Sequence, residues 1–382
     1  MDPADLASLS PEEQKTFMAA LLNGPALDAP PGVVPNFEQP GGSHALGYGI
    51  ILLGSILAGL AVLVRISSRV LIRKFHFEDA LLLSALGLFA GHSYVLYESA
   101  IYPGMKVHQW NVLLKNMFPI LRGIHLGSIF YGLVIMLLKT AILLDWLKIF
   151  VPSGQRNAMF WISHIMIWAN VLFYGVGTLV EIFQCNPRSK IWNPFVEGTC
   201  PIDMRSHNMA AGVVNLVSDV IILGLPQLVI WKLQMSRASK IGLSLLFAIG
   251  TFACASAAVR FYYVYRLLHT TDQLYVASIA GLWGVGEMTA GFLIMGIPSL
   301  PKVFKSLPFS GSVVSLLRQL TRPGSSGEGQ SNSRRGLPSW YKAPPEKKRR
   351  AQFEVSELNE HDLLSHQETS GTKESSGSGG TA

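Results

Sequence analysis

Seven apolar stretches dominate this chain, at about residues 45–64, 80–101, 123–144, 157–180, 209–231, 241–264 and 274–300. A helix rises 1.5 Å per residue, so about 20 apolar residues cross a hydrocarbon core near 30 Å. Residues 45–64 (ALGYGIILLGSILAGLAVLV) meet that need with nothing polar beyond Tyr48 and Ser55. Charged residues make up 14% of the chain, against roughly 25% in a soluble domain. The expected fold is an all-α membrane protein, a seven-transmembrane helix bundle.

The basic residues suggest an orientation. With the N-terminus outside, the first loop holds Arg65, Arg69, Arg73 and Lys74, the third Lys148 and Arg156, and the fifth Lys232, Arg237 and Lys240. These short loops put nine basic residues in the cytosol against seven outside. The cluster beside the first stretch lies where the positive-inside bias counts most. The C-terminus is then cytosolic. The excess of 31 basic over 24 acidic residues is explained by such loops and does not call for nucleic acid. The N-terminal MDPADLASLSPEEQ is acidic and lacks an apolar core, so the first span is expected to act as the targeting signal.

Three segments follow. Residues 1–44 form an outer segment. In it Ser10-Pro11-Glu12-Glu13 caps a short helix over about 11–22, and a Pro/Gly-rich linker over 25–43 leads into the bundle. Residues 45–305 are the bundle. Residues 306–382 are a cytosolic juxtamembrane segment and tail. Its start, 306–321, reads either as an amphipathic helix on the membrane face or as a linker. From 323 on, Ser, Gly, Lys and Glu dominate, a composition expected to be disordered. Lys347-Lys348-Arg349-Arg350 reads as solvated charge there, or as a contact for anionic lipid.

Of three cysteines, Cys185 and Cys200 fall in the 182–208 loop on the outer side. Disulfides persist in oxidising compartments. Paired, they would close a loop of roughly 15 residues, worth about 3 kcal/mol in the chain-entropy picture; the alternative is two free thiols. Cys254 lies in the sixth stretch and reads as a small core residue.

Ionisable residues at membrane depth cost about 2.5–3.5 kcal/mol each on insertion scales, so each needs a partner or a role. Lys139, Asp219 and Glu287 lie at similar depth on the third, fifth and seventh stretches and are expected to form one polar cluster. It would act either as a switch coupling the two faces or as an ion pair that fixes helix register. Arg260, nearer the outer edge, is expected to meet Glu181. Trp283 lies four residues before Glu287, on the same face. With Tyr94 and Tyr262 it is a candidate cavity aromatic, the alternative being an interfacial belt. Pro226 should kink the fifth stretch.

Several signatures are absent from the sequence. Residues 274–300 hold no lysine for a retinal Schiff base. The third stretch ends Leu144-Asp145-Trp146-Leu147-Lys148, without an Asp-Arg-Tyr triplet. The seventh ends Gly296-Ile297-Pro298-Ser299-Leu300-Pro301, without Asn-Pro-x-x-Tyr. No phosphate-binding, zinc-protease or nucleophile-elbow motif occurs. The expectation is a non-enzyme with neither cofactor nor metal.

The order of several short pieces resembles the fungal rhodopsin-domain family of integral membrane proteins. The pieces are Val33-Val34-Pro35-Asn36-Phe37; Glu78-Asp79; Lys139, Asp145 and Lys148-Ile149-Phe150; Phe183-x-Cys185-x-Pro187, Trp192, Gly198 and Cys200; Asp219, Pro226, Trp231 and Met235; Lys240-Ile241-Gly242-Leu243, Phe247, Gly250 and Arg260; and Trp283, Glu287 and Pro298. The resemblance implies seven helices, an outer N-terminus, and a plasma-membrane or endomembrane location. It also implies receptor-like signalling without a pigment. The expected partners are membrane lipid, a small-molecule or peptide ligand, and a cytosolic signalling protein. The rival expectations are a small-solute transporter or channel tied to secondary metabolism, and a structural membrane protein.

Overall fold

The computed structural model describes residues 10–151, 156–230 and 237–306. The segment over 307–321, the tail from 323 and the basic run Lys347–Arg350 lie outside the described residues. Helix α1 (Pro11–Leu22) is followed by seven helices long and apolar enough to cross a membrane. They are α2 (His44–Ile72), α3 (Phe77–Ile101), α4 (Leu114–Phe150), α5 (Ala158–Ile182), α6 (Met204–Ile230), α7 (Arg237–Leu268) and α8 (Gln273–Gly296). A short α9 (Leu300–Ser306) closes the described part. No strand occurs among the described residues. The chain is an all-helical, multi-pass membrane protein.

The helices overrun the apolar stretches at most ends. At α1, Ser10 and Glu13 cap each other reciprocally. The Ser10 hydrogen bonds hold the Glu13 carboxyl below its usual range. Pro226 lies inside α6, near its end.

Helices α4 and α8 are the central posts. Their apolar windows are 56% and 67% buried, against 17–33% for the other five. Helix α8 packs on α2, α3, α4 and α7, and α4 on α3, α5, α6 and α8. Phe89 and Phe292 meet between α3 and α8 at a ring separation of 5.3 Å. Helices α2 and α8 approach so closely that a β-carbon on Gly296 would lie 2.7 Å from the Ala61 carbonyl oxygen. Lys139 lies on α4 and Glu287 on α8.

One end of the bundle carries the Cys185–Cys200 disulfide. The loop it closes brings Trp192 to 6.3 Å from the His125 ring, with the Arg122 guanidinium 5.8 Å from the indole. The N-terminal linker is pinned at this same end. Ala26 N donates to Val112 O at 2.8 Å, Ser43 N to Met105 O at 2.8 Å, and Asn111 Nδ2 to Pro40 O at 3.0 Å. His108 stacks between Trp110 and Tyr275, and its Nδ1 lies 2.6 Å from Asp272 at the start of α8.

The opposite end corrects the loop-charge reading. Arg65 and Arg69 do not stand in a loop; both lie within α2, and the connection to α3 is only residues 73–76. Arg65 is buried. Its Nε donates to Asp79 at 3.0 Å, and its Nη1 and Nη2 reach the two Asp145 oxygens at 3.2 and 2.5 Å. Nη1 also lies 3.4 Å from Met295 O, within reach because of the approach at Gly296. Arg69 pairs with Asp79 at 3.0 Å and Glu78 at 3.5 Å, and Lys148 with Glu78 at 2.6 Å. Arg65 and Arg69 are thus neutralised by buried carboxylates, while Arg73 and Lys74 stay exposed in the connection.

Candidate functional site

Mid-bundle, eight polar side chains from five helices form one continuous network. Lys139 Nζ on α4 lies 2.8 Å from Asp219 Oδ1 on α6. It also donates to Asn215 Oδ1 at 2.7 Å, Asn215 O at 2.9 Å and Ser218 Oγ at 2.7 Å. An ammonium has three donors, so this one is saturated. Asn215 is the hinge of the network. Its Oδ1 also accepts from Tyr174 OH of α5 at 2.7 Å, and its Nδ2 donates to Glu287 Oε1 at 2.6 Å. Glu287 on α8 accepts in addition from Tyr131 OH at 2.9 Å and from Arg260 Nε of α7 at 3.2 Å. The Arg260 guanidinium stacks over the Tyr131 ring, 4.2 Å from its centroid. Two cations and two carboxylates balance within this septum.

The septum separates two cavities. One, of about 230 Å³, lies toward the disulfide end and is lined by Ser99, Thr178, Asn208 and Ala277, with Tyr131, Tyr174 and Arg260 at its floor. His92, buried here, donates from Nδ1 to Gly127 O at 2.9 Å, and its Nε2 has no hydrogen-bond partner. The other, of about 400 Å³, lies toward the α9 end, between α4, α6, α7 and α8. It is lined by Trp146, Phe150, Leu246 and Pro301, with Lys139, Asp219 and Glu287 at its floor.

The structure brings Lys139, Asp219 and Glu287 into one network, but not by direct contact of all three: Asn215 bridges the lysine to Glu287. Two sequence expectations are corrected. Arg260 pairs with Glu287, not Glu181; Glu181 lies at the wall of the smaller cavity with Ser128 as its hydrogen-bond partner. Trp283, Tyr94 and Tyr262 line neither cavity. Tyr94 and Tyr262 are 64% and 54% exposed. Each lies two residues from an inward side chain, His92 and Arg260, which turns it about 200° away on a helix with 3.6 residues per turn. On α8 the residues that line the smaller cavity are the small Ala277, Ala280, Gly281 and Gly284.

Tyr131, Tyr174, Asn215 and Ser218 join the network without being among the residues expected from sequence. Asn215 carried a legible signal, since it lies one turn before Asp219 on the same face of α6. The Arg65–Asp79–Asp145 cluster was missed because Arg65 falls just past the most apolar run.

The fold and septum define a seven-helix membrane protein with a charged core between two cavities. The chain belongs to the fungal rhodopsin domain family, whose model matches residues 64–306 and so includes both charged clusters. It is similar to Fugralins biosynthesis cluster protein 2 of Gibberella zeae, at 36% identity over 74% of this chain and 71% of that protein. It is similar to a SAT4 family membrane protein of Emericella nidulans, at 32% identity over 60% of this chain and 57% of that one. It also resembles Receptor GIN3 of Arthrobotrys oligospora, at 22% identity over 84% of this chain and 80% of the relative. No solved structure matches it.

Proposed function

We propose that this protein is a receptor, with no catalytic role, whose smaller cavity takes a ligand at the disulfide end. The septum passes that occupancy to the α9 end, where a cytosolic signalling protein docks. One observation carries the reading: a single hydrogen-bonded network floors both cavities, so any shift of Arg260 or Tyr131 is felt at Asp219 and Lys139. Intramembrane ionisable groups of this kind mark functional sites by default. The likeness to a protein named as a receptor supports it.

The orientation in this reading puts the disulfide end outside. An N-terminal epitope tag should then be reachable on intact cells and a C-terminal tag should not; both tags on one side would end it.

The coupling is tested without knowing the ligand. Ala211 lines the smaller cavity. In a Cys254→Ala background, Ala211→Cys can be modified with a bulky thiosulfonate, and amide hydrogen exchange followed at the α9 end of α4. Modification should change exchange over Trp146–Phe150. Glu287→Gln, which keeps shape and removes charge, should abolish the change while leaving expression near normal. Unchanged exchange in the parent would sink the receptor reading.

A second reading is a small-solute transporter. Two back-to-back cavities across one septum favour it, as does a relative named for a biosynthesis cluster. Saturable uptake of labelled organic acids or alcohols into proteoliposomes, lost in Glu287→Gln, would select it instead.

A further inference from the structure

We propose that the larger cavity is a second binding site, for a neutral and mostly apolar molecule that carries one hydroxyl group.

The walls between α4, α6, α7 and α8 are apolar apart from Gln227; Ile142, Trp146, Leu246, Phe247 and Ile294 supply much of the surface. At about 400 Å³ the space lies inside the roughly 300–1,000 Å³ range of small-molecule pockets. The chemistry is set at the floor. Lys139 is saturated by four oxygens, and both Glu287 oxygens are taken by Tyr131, Asn215 and Arg260. Asp219 lines the cavity with Oδ1 on Lys139, and its Oδ2 is the buried network oxygen left without a partner. A buried acceptor left unmade is costly, so an occupant that donates to it is favoured over one that cannot.

The charge of the occupant follows from the same inventory. Lys139 and Arg260 already balance Asp219 and Glu287. An acid or a quaternary amine would bring an uncompensated charge to a low-dielectric floor. A neutral alcohol brings the donor without the charge. This proposal does not rest on a ligand in the cavity at the disulfide end and stands or falls separately from the receptor reading.

The test uses the full chain in lipid nanodiscs and a diazirine-tailed ten-carbon primary alcohol, with adducts mapped by mass spectrometry. Adducts should fall on the wall segments, residues 135–150 and 242–254. 1-Decanol should compete about tenfold better than 2-decanone, which cannot donate, the difference expected of one hydrogen bond. Decanoate should compete no better than the ketone. A cholesterol arm separates sources: competition by cholesterol assigns the site to polycyclic membrane alcohols, and competition by decanol alone to chain alcohols. Asp219→Asn can keep its oxygen on Lys139 and turn its amide nitrogen to the cavity. It should then erase the preference for 1-decanol, because a hydroxyl and a ketone oxygen both accept from an N–H. Adducts spread over lipid-facing residues such as Leu53 and Val176, or equal competition by decanol, decanone and decanoate in the parent protein, would overturn the proposal. The parent panel decides the matter even if the variant does not fold.

Discussion

Replacing Arg65 by leucine is expected to destabilise the bundle by about 3–5 kcal/mol, the cost of leaving buried charge without its partner. Arg65 is 3% exposed, and its guanidinium holds Asp79 with one edge and Asp145 with the other. No remaining cation replaces it equally: Arg69 reaches Asp79 at 3.0 Å but Asp145 only at 3.6 Å. The Met295 carbonyl would lose a donor as well. Arg65→Lys should recover only part of the loss, because a point-like ammonium cannot span two carboxylates with a planar fork. Reversible unfolding in mixed micelles, followed by near-UV circular dichroism, measures the difference. Parent-like stability for the leucine variant would show that the cluster does not hold α2, α3 and α4 together.

The second large effect is expected at Lys139→Met, again on the order of 3–5 kcal/mol. Asp219 would lose its cation while its other oxygen already lacks a partner. Asn215 and Ser218 would lose a donor too. The double variant Lys139→Met/Asp219→Leu removes both charges and should recover much of the stability, since apolar replacement of a buried pair is often near neutral. Recovery should be incomplete, because Asn215 still loses the ammonium that orients it toward Glu287. Additive losses in the double variant would show that the two side chains are not coupled. The same series separates staple from switch: a staple is restored by the double variant, whereas the cavity-to-cavity response needs the charges themselves.

Much of this architecture is legible in the sequence because hydropathy is local. A run such as residues 45–64 must bury its backbone hydrogen bonds in a helix wherever it meets lipid, and seven such runs give seven spans. The costly charges are equally visible, since Lys139, Asp219, Arg260 and Glu287 each stand alone in apolar surroundings. The cysteine pair was legible from its placement in one loop. What failed was assignment of neighbours. Arg260 was matched to Glu181 by depth along the membrane, but depth says nothing of rotation. Each residue turns a helix by about 100°, so Tyr94 and Tyr262, at plausible depth, point away from the space they were expected to line.

The sequence by itself determined the number of spans, the cost of the charges within them, and the capped helix at Ser10–Glu13. Tertiary structure decided which charge meets which. Lys139 and Asp219 are 80 positions apart, and Arg65 and Asp145 also 80. Their meeting depends on how far each rigid helix is rotated and how closely its neighbours approach. Gly296 against Ala61 lets α2 and α8 close on Arg65. Ala277, Gly281 and Gly284 line the smaller cavity with side chains too small to fill it. Pairing and empty space are properties of several helices at once, and no single stretch of chain encodes them.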